Sequence, residues 1–335
     1  MFDIITFGSA TQDIYLKSQK FLPVLGKDFT TGKGICLPLG AKIEVSDVFF
    51  TSGGGGTNTA ATFANQGFRV AYCGMVGDDN FGNLVLNNLK KYNIDTSLIK
   101  KTKKVSTSTA VILMQPCSDR TILVYRGASD LLAKGDIPWD KVKKTKWVYL
   151  APFGGKLTEI TEELVAFAKK NKIKVALNPG YNQLTLPAPV LQKILKQIDV
   201  LILNREEAAL LTKVPYQKEE EIFKKIDKLT SGIVIMTKGK EGVTVSDGKH
   251  LYYAKSLGMK LVDGTGAGDA FGSGFVSGLI QKNDIVYAIQ LAMANSSFAI
   301  TKFGAKEGIL RKNQPWPKIK VFKENCSANN LCQIK

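Results

Sequence analysis

An aspartate at the start of a helix, directly behind a glycine-rich turn, can take a proton beside a bound anion, and residues 260–280, KLVDGTGAGDAFGSGFVSGLI, have that form. They read as a short apolar strand ending at Asp263, a glycine turn, and a helix that begins at Asp269. The amides of Gly266, Ala267 and Gly268 would then point at one spot, reinforced by a helix dipole equivalent to about half a positive charge. Such a cluster suits a transferring phosphoryl group. Asp269 beside it would stand within reach of a hydroxyl facing that phosphate and could remove its proton. The structural alternative makes Asp269 a helix N-cap and the glycines a tight turn. Gly272, Gly274 and Gly278 lie inside the helix, where each costs about 1 kcal/mol relative to alanine, so something must pack closely against it.

Other segments have two readings each. GGGGTNTAATFANQG, residues 53–67, is a glycine run entering a helix, and Asn58 follows the run closely. In NREE, residues 204–207, Asn204 and Glu207 have capping-box spacing. Chemistry of other kinds is poorly served. The single histidine, His250, lies in a turn, which argues against His-based triads and H-E-x-x-H metal sites. The cysteines Cys36, Cys73, Cys117, Cys326 and Cys332 never fall in C-x-x-C spacing, so reduced structural thiols are expected. Neither a P-loop nor a dinucleotide-binding glycine motif at a strand-to-helix turn is present.

The elements that must position these residues follow from hydrophobic periodicity. Apolar runs at residues 2–8, 70–76, 147–152, 173–178, 199–203 and 232–237 alternate with segments of helical period such as TEITEELVAFAKKN. That alternation predicts βαβ units and a largely parallel sheet. Residues about 11–50 and 102–127 break the rhythm, and VSTSTAVILMQ and DRTILVYRG read as strands joined by a turn. A small antiparallel sheet projecting as a lid is expected from them. The tail beyond about residue 312 offers no legible chemistry. The net charge of +17 is spread over lysines that alternate with acids, which predicts a solvated surface rather than a nucleic-acid face. No apolar run approaches the ~18 residues of a membrane span, so a cytoplasmic protein is expected.

The segment DGTGAGDAF, with GGGGTNTAATFANQG, VGDDNFG at 76–82, NREE, TKGKEG at 237–242 and AITKFGA at 299–305, resembles the ribokinase-like, or phosphofructokinase-B-type, family of carbohydrate and nucleoside kinases. The resemblance implies a three-layer α/β/α fold with a mostly parallel central sheet and a small antiparallel β lid. It places one kinase domain at residues 1–325 and a tail at 326–335. It puts Asp13, Gly54, Gly55, Asn58 and Phe153 around the substrate with Asp269. Asn204, Thr237, Lys238, Gly239, Gly242 and Gly268 fall along ATP. Glu207 would hold Mg²⁺ through water, and Asp263 and Thr265 a K⁺ ion.

The implied activity is transfer of the γ-phosphate to a hydroxymethyl group of a small sugar, with a nucleoside kinase or a non-catalytic binding protein as alternatives and a homodimer formed through the lid. Three departures stand out. Gly55 replaces a lysine usual in ribokinases, Gly308 replaces a frequent serine ligand of the cation, and Phe153, Gly154 and Gly155 offer no carboxylate where ribokinases place a glutamate.

Overall fold

The computed structural model describes residues 1–27, 29, 32–115 and 120–326. Of the tail at 326–335, only Cys326 lies within that set; Cys117 and Cys332 fall outside it. The expected apolar runs form strands Ile4–Phe7, Val70–Gly77, Trp147–Leu150, Lys174–Leu177, Val200–Asn204 and Ile233–Thr237. All belong to a 10-stranded sheet. Every pairing among these six strands is parallel, and Ile99–Thr102 extends the parallel set beyond Val70–Gly77. Val243–Ser246, His250–Ala254 and Val321–Asn325 complete the other edge in antiparallel fashion. The last of these is ordered structure in a tail from which the sequence predicted nothing.

Successive side chains of a strand point to opposite faces, and here the two faces feed two separate cores. Ile5, Phe7, Val148, Leu150, Val175, Leu177, Leu201 and Leu203 join one apolar cluster. Their alternates Ile4, Tyr149, Ala176, Val200 and Ile202 join a second one, with Phe271 and Phe275 of the helix Ala267–Lys282. Helices therefore cover both faces of the sheet, giving the three-layer α/β/α arrangement.

A second sheet has the order Asp47–Gly53, Thr11–Lys17, Ser108–Met114, Arg120–Tyr125. Its two outer ladders are antiparallel as expected, but the central ladder between Thr11–Lys17 and Ser108–Met114 is parallel. Both central strands leave the main sheet in the same direction, a relation that local hairpin signals do not encode. A hairpin of Leu22–Leu25 with Lys33–Cys36 completes the insertion. Residues 260–263 form no strand, and Cys326 is disulfide-bonded rather than a reduced thiol. Among the described residues, no helix is long and apolar enough to cross a membrane.

Candidate active site

The helix Ala267–Lys282 begins two residues before the expected start, with Gly266 as its N-cap. Gly266 adopts φ 75°, a left-handed conformation that costs a residue with a Cβ roughly 1 kcal/mol or more. Asp269 is therefore the third helical residue and not the N-cap. The Ala270 amide makes the first turn's bond, to the Gly266 carbonyl at 2.8 Å, while the Ala267 amide turns back towards the Gly264 carbonyl at 3.4 Å. Above Gly268 lies open space. The interior glycines have the close neighbours that the sequence predicted. A Cβ on Gly272 would sit 2.2 Å from the Tyr149 hydroxyl, and one on Gly278 would sit 2.6 Å from the Ala288 Cα on the helix Ile285–Ala299.

Two segments far apart in sequence meet at Asp269. Asn58, on the helix Gly55–Asn65, donates from Nδ2 to Asp269 Oδ2 at 2.8 Å, and its buried Oδ1 has no protein partner. Gly54 caps that helix, and a Cβ on Gly55 would lie 3.3 Å from Asp269 Oδ1. Asp13 is buried on the strand Thr11–Lys17 of the second sheet. Its carboxylate fills the space over Gly53, where a Cβ would come within 1.9 Å of Asp13 Oδ2.

Lys306, absent from the sequence-derived set, is buried with its ammonium on the Ser52 carbonyl and on Ser52 Oγ at 3.2 Å. Burial raises the Asp269 pKa, opposed by the Asn58 hydrogen bond and the charge of Lys306. Burial also raises Asp13, which Lys306 pulls down and Asp263 pushes up. Lys306 itself is lowered by burial, against the pull of Asp13 and Asp269.

The loops expected along a nucleotide lie at the ends of neighbouring strands. Asn204 and Glu207 form a capping box at the start of the helix Arg205–Thr212. The Glu207 amide donates to Asn204 Oδ1 and the Asn204 amide to Glu207 Oε2, both at 2.8 Å. Glu207 is pushed up to about 7 by burial, with the Asn204 amide opposing and the charges of Asp269 and Glu206 adding. Thr237 ends its strand with Oγ1 directed at the Leu203 carbonyl. The Lys238 ammonium pairs with Glu219 at 2.8 Å. Gly239 has φ 56° with open space beside it, and Gly242 packs against the Ala254 carbonyl.

Phe153 is buried in the core and its amide donates to Gln183 Oε1, so its ring offers little surface to a ligand. The Asp263 carboxylate already accepts four hydrogen bonds. Oδ1 takes the Thr265 amide and hydroxyl; Oδ2 takes the Tyr15 hydroxyl and the Gly304 amide. A carboxylate has about four lone-pair positions, so all of them are engaged in this arrangement. A Cβ at Gly308 would lie 2.3 Å from the Phe298 carbonyl, which rules out a serine ligand there. Asp263 instead ties the glycine turn to the second sheet and to the loop at 304. Among the described residues, no group of three or more His, Cys, Asp and Glu side chains forms a metal site.

A helix N-terminus with open space beside Gly268 and a half-buried carboxylate at its third residue suits a phosphotransferase acting on an alcohol. The chain belongs to the pfkB family of carbohydrate kinases, which it matches over residues 1–312. It is 28% identical to the ribokinase of Bacillus subtilis (strain 168) over 316 residues, 94% of this chain and 98% of that one. The fold is also that of the Arabidopsis thaliana ribokinase solved with ribose and ATP, at a TM-score of 0.76 and 21% identity, with 92% of this chain and 96% of that chain covered. The adenosine kinase of Sinorhizobium meliloti superposes with a TM-score of 0.75 at 19% identity, covering 91% and 95% of the two chains.

Proposed function

We propose that this protein transfers the γ-phosphate of ATP to a hydroxymethyl group of a small carbohydrate. The observation that carries the reading is the 2.8 Å bond between Asn58 and Asp269, which joins the glycine-run segment to the start of the phosphate-facing helix. In this reading Asp13 and the free Oδ1 of Asn58 accept hydrogen bonds from sugar hydroxyls and fix the acceptor. Asp269 withdraws the proton of the hydroxymethyl group as its oxygen approaches phosphorus. The amides of Gly266 and Gly268 take up charge on the transferring group, with a smaller part for Ala267, whose amide is shared with Gly264.

The loops at Asn204, Thr237, Lys238, Gly239 and Gly242 border the nucleotide, Lys238 through its backbone. Mg²⁺ held through water near Glu207 would neutralise phosphate charge, and the neighbouring charges acting on Glu207, those of Asp269 and Glu206, are both negative, which fits a cation there. No step is assigned to K⁺.

The second sheet is read as a lid over the acceptor, linked to the glycine turn by the Tyr15 to Asp263 bond of 3.0 Å. Phe153 is buried, so a nucleoside base would find little aromatic surface there, and the sugar reading is preferred. ADP release measured against ribose, fructose, 2-keto-3-deoxygluconate, adenosine, cytidine and inosine tests the choice. Turnover with a sugar and none with nucleosides supports it, and the reverse pattern overturns it.

A further inference from the structure

Lys306 is the one buried lysine or arginine among the described residues, at 3% exposure. Its ammonium is anchored on Ser52, which lies between Thr51, the cross-strand partner of Asp13, and Gly53, whose missing side chain admits the Asp13 carboxylate. Removing an ammonium ion from water carries an effective penalty of several kcal/mol unless nearby charges compensate. Satisfying a carbonyl and a hydroxyl on an edge strand needs only a neutral donor, so the charge calls for a further reason.

Carboxylates supply one. The charges of Asp13 on the second sheet, Asp269 on the helix Ala267–Lys282 and Glu307 next in the chain all act to hold the proton on Lys306. Asp263 acts on Asp13 from the glycine turn, with the Tyr15 hydroxyl bound to it. Gly55 contributes no side chain on the opposite side of Asp269.

We propose that Lys306 is a positioning residue for the acceptor: seated on Ser52 beside the Gly53 gap that the Asp13 carboxylate fills, its charge favours the carboxylate form of Asp13, which then accepts hydrogen bonds from substrate hydroxyls from about neutral pH upward. The proposal rests on the kinase reading above. Its sign is fixed by the surroundings. Burial and Asp263 both favour the protonated form of Asp13, and Lys306 opposes them. Without Lys306, Asp13 stays protonated to higher pH and offers a donor where the acceptor sugar needs an acceptor.

The test is kcat/KM for ribose at saturating Mg-ATP, from about pH 5.5 to 9.5, in wild type, Lys306→Gln and Lys306→Arg. From an Asp13 midpoint of about 7, a one-unit rise in the glutamine variant is expected to lower kcat/KM about 5-fold at pH 7 and about 10-fold at pH 6, mainly through KM, with the acid limb moved up by about one pH unit. The arginine variant should keep its limb near the wild-type position. A loss that is equal at every pH, with the limb unmoved, overturns the proposal and leaves Lys306 as a strand cap.

The ¹³C resonance of the Asp13 carboxyl, followed in the unliganded protein, reads the same coupling without turnover. A higher midpoint in Lys306→Gln supports the proposal and an unchanged midpoint refutes it, whereas absent turnover in wild type counts against the kinase reading or its substrate. Should the glutamine variant not fold, Asp13→Asn examines the pair from the other side. The Lys306 Cε resonance must then titrate at lower pH than in wild type; titration at the same pH refutes the coupling.

Discussion

The residues that face each other at the site do so because small residues make room for charged ones. Asp13 lies against Gly53 so closely that any Cβ there would overlap its carboxylate at 1.9 Å. Gly53→Ala is therefore predicted to displace Asp13 and lower kcat/KM for the acceptor by about 10²-fold, the scale expected for a misplacement near 1 Å. Steady-state kinetics at varied sugar checks this, with the KM for ATP expected to move little.

Asp13, Asn58 and Asp269 were legible in the sequence because each stands in a segment with a recognisable pattern. Lys306 was not, because a lysine next to a glutamate in a loop has the look of solvated surface, and only the tertiary fold reveals that it points inward. Phe153 was placed near the substrate by the resemblance alone, which does not show that its ring also packs into the core.

At the level of elements, the strand runs and helix periods were readable because burial on both faces imposes long apolar stretches and amphipathic helices. Boundaries and pairings were harder. The helix Ala267–Lys282 begins where it does because Gly266 can take a left-handed conformation, a freedom that the glycine-rich spelling alone does not assign to one glycine among three. The parallel central ladder of the second sheet joins strands some 97 positions apart, as in the pair Thr11 and Ser108, beyond the reach of local signals.

One element-level device is testable. Asp79 caps the helix Asn80–Lys91 through the Gly82 amide at 2.7 Å and also binds the Thr107 amide at 2.8 Å and the Thr107 hydroxyl at 2.7 Å, next to the strand Ser108–Met114. Asp79→Ala should cost about 1–2 kcal/mol in urea unfolding at pH 7. Burial raises the Asp79 pKa, but these hydrogen bonds outweigh it and the net shift is downward. Its contribution is thus present above the ordinary aspartate range and fades as pH falls through the depressed value, so wild-type and variant stabilities should converge in acid.

The two edge strands of the second sheet expose Phe50, Ile122, Leu123, Val124 and Tyr125. Edge strands with apolar surface invite pairing with a second copy. The reading of a homodimer predicts that Leu123→Lys shifts gel-filtration mass from two chains to one; a wild type that elutes as a monomer at working concentration refutes it.

For the whole molecule, the three-layer architecture delivers two distant signatures to one place. The ordered motifs across nearly the entire chain made that architecture legible before any coordinates. The net charge of +17 belongs to this scale as well, since a positive field speeds the approach of a polyanion such as Mg-ATP. Raising salt from about 20 to 300 mM is predicted to lower kcat/KM for ATP severalfold while kcat changes little, because screening acts on association and not on groups already in contact. The central claim remains the proton transfer at Asp269. ADP release by wild type and Asp269→Asn, measured with the best sugar acceptor and Mg²⁺ present, tests it most directly. The account predicts that kcat falls by about 10²–10⁴-fold in the variant while both proteins keep the same fold and bind ATP equally well. Equal turnover by the two proteins would contradict the assignment of Asp269 as the base.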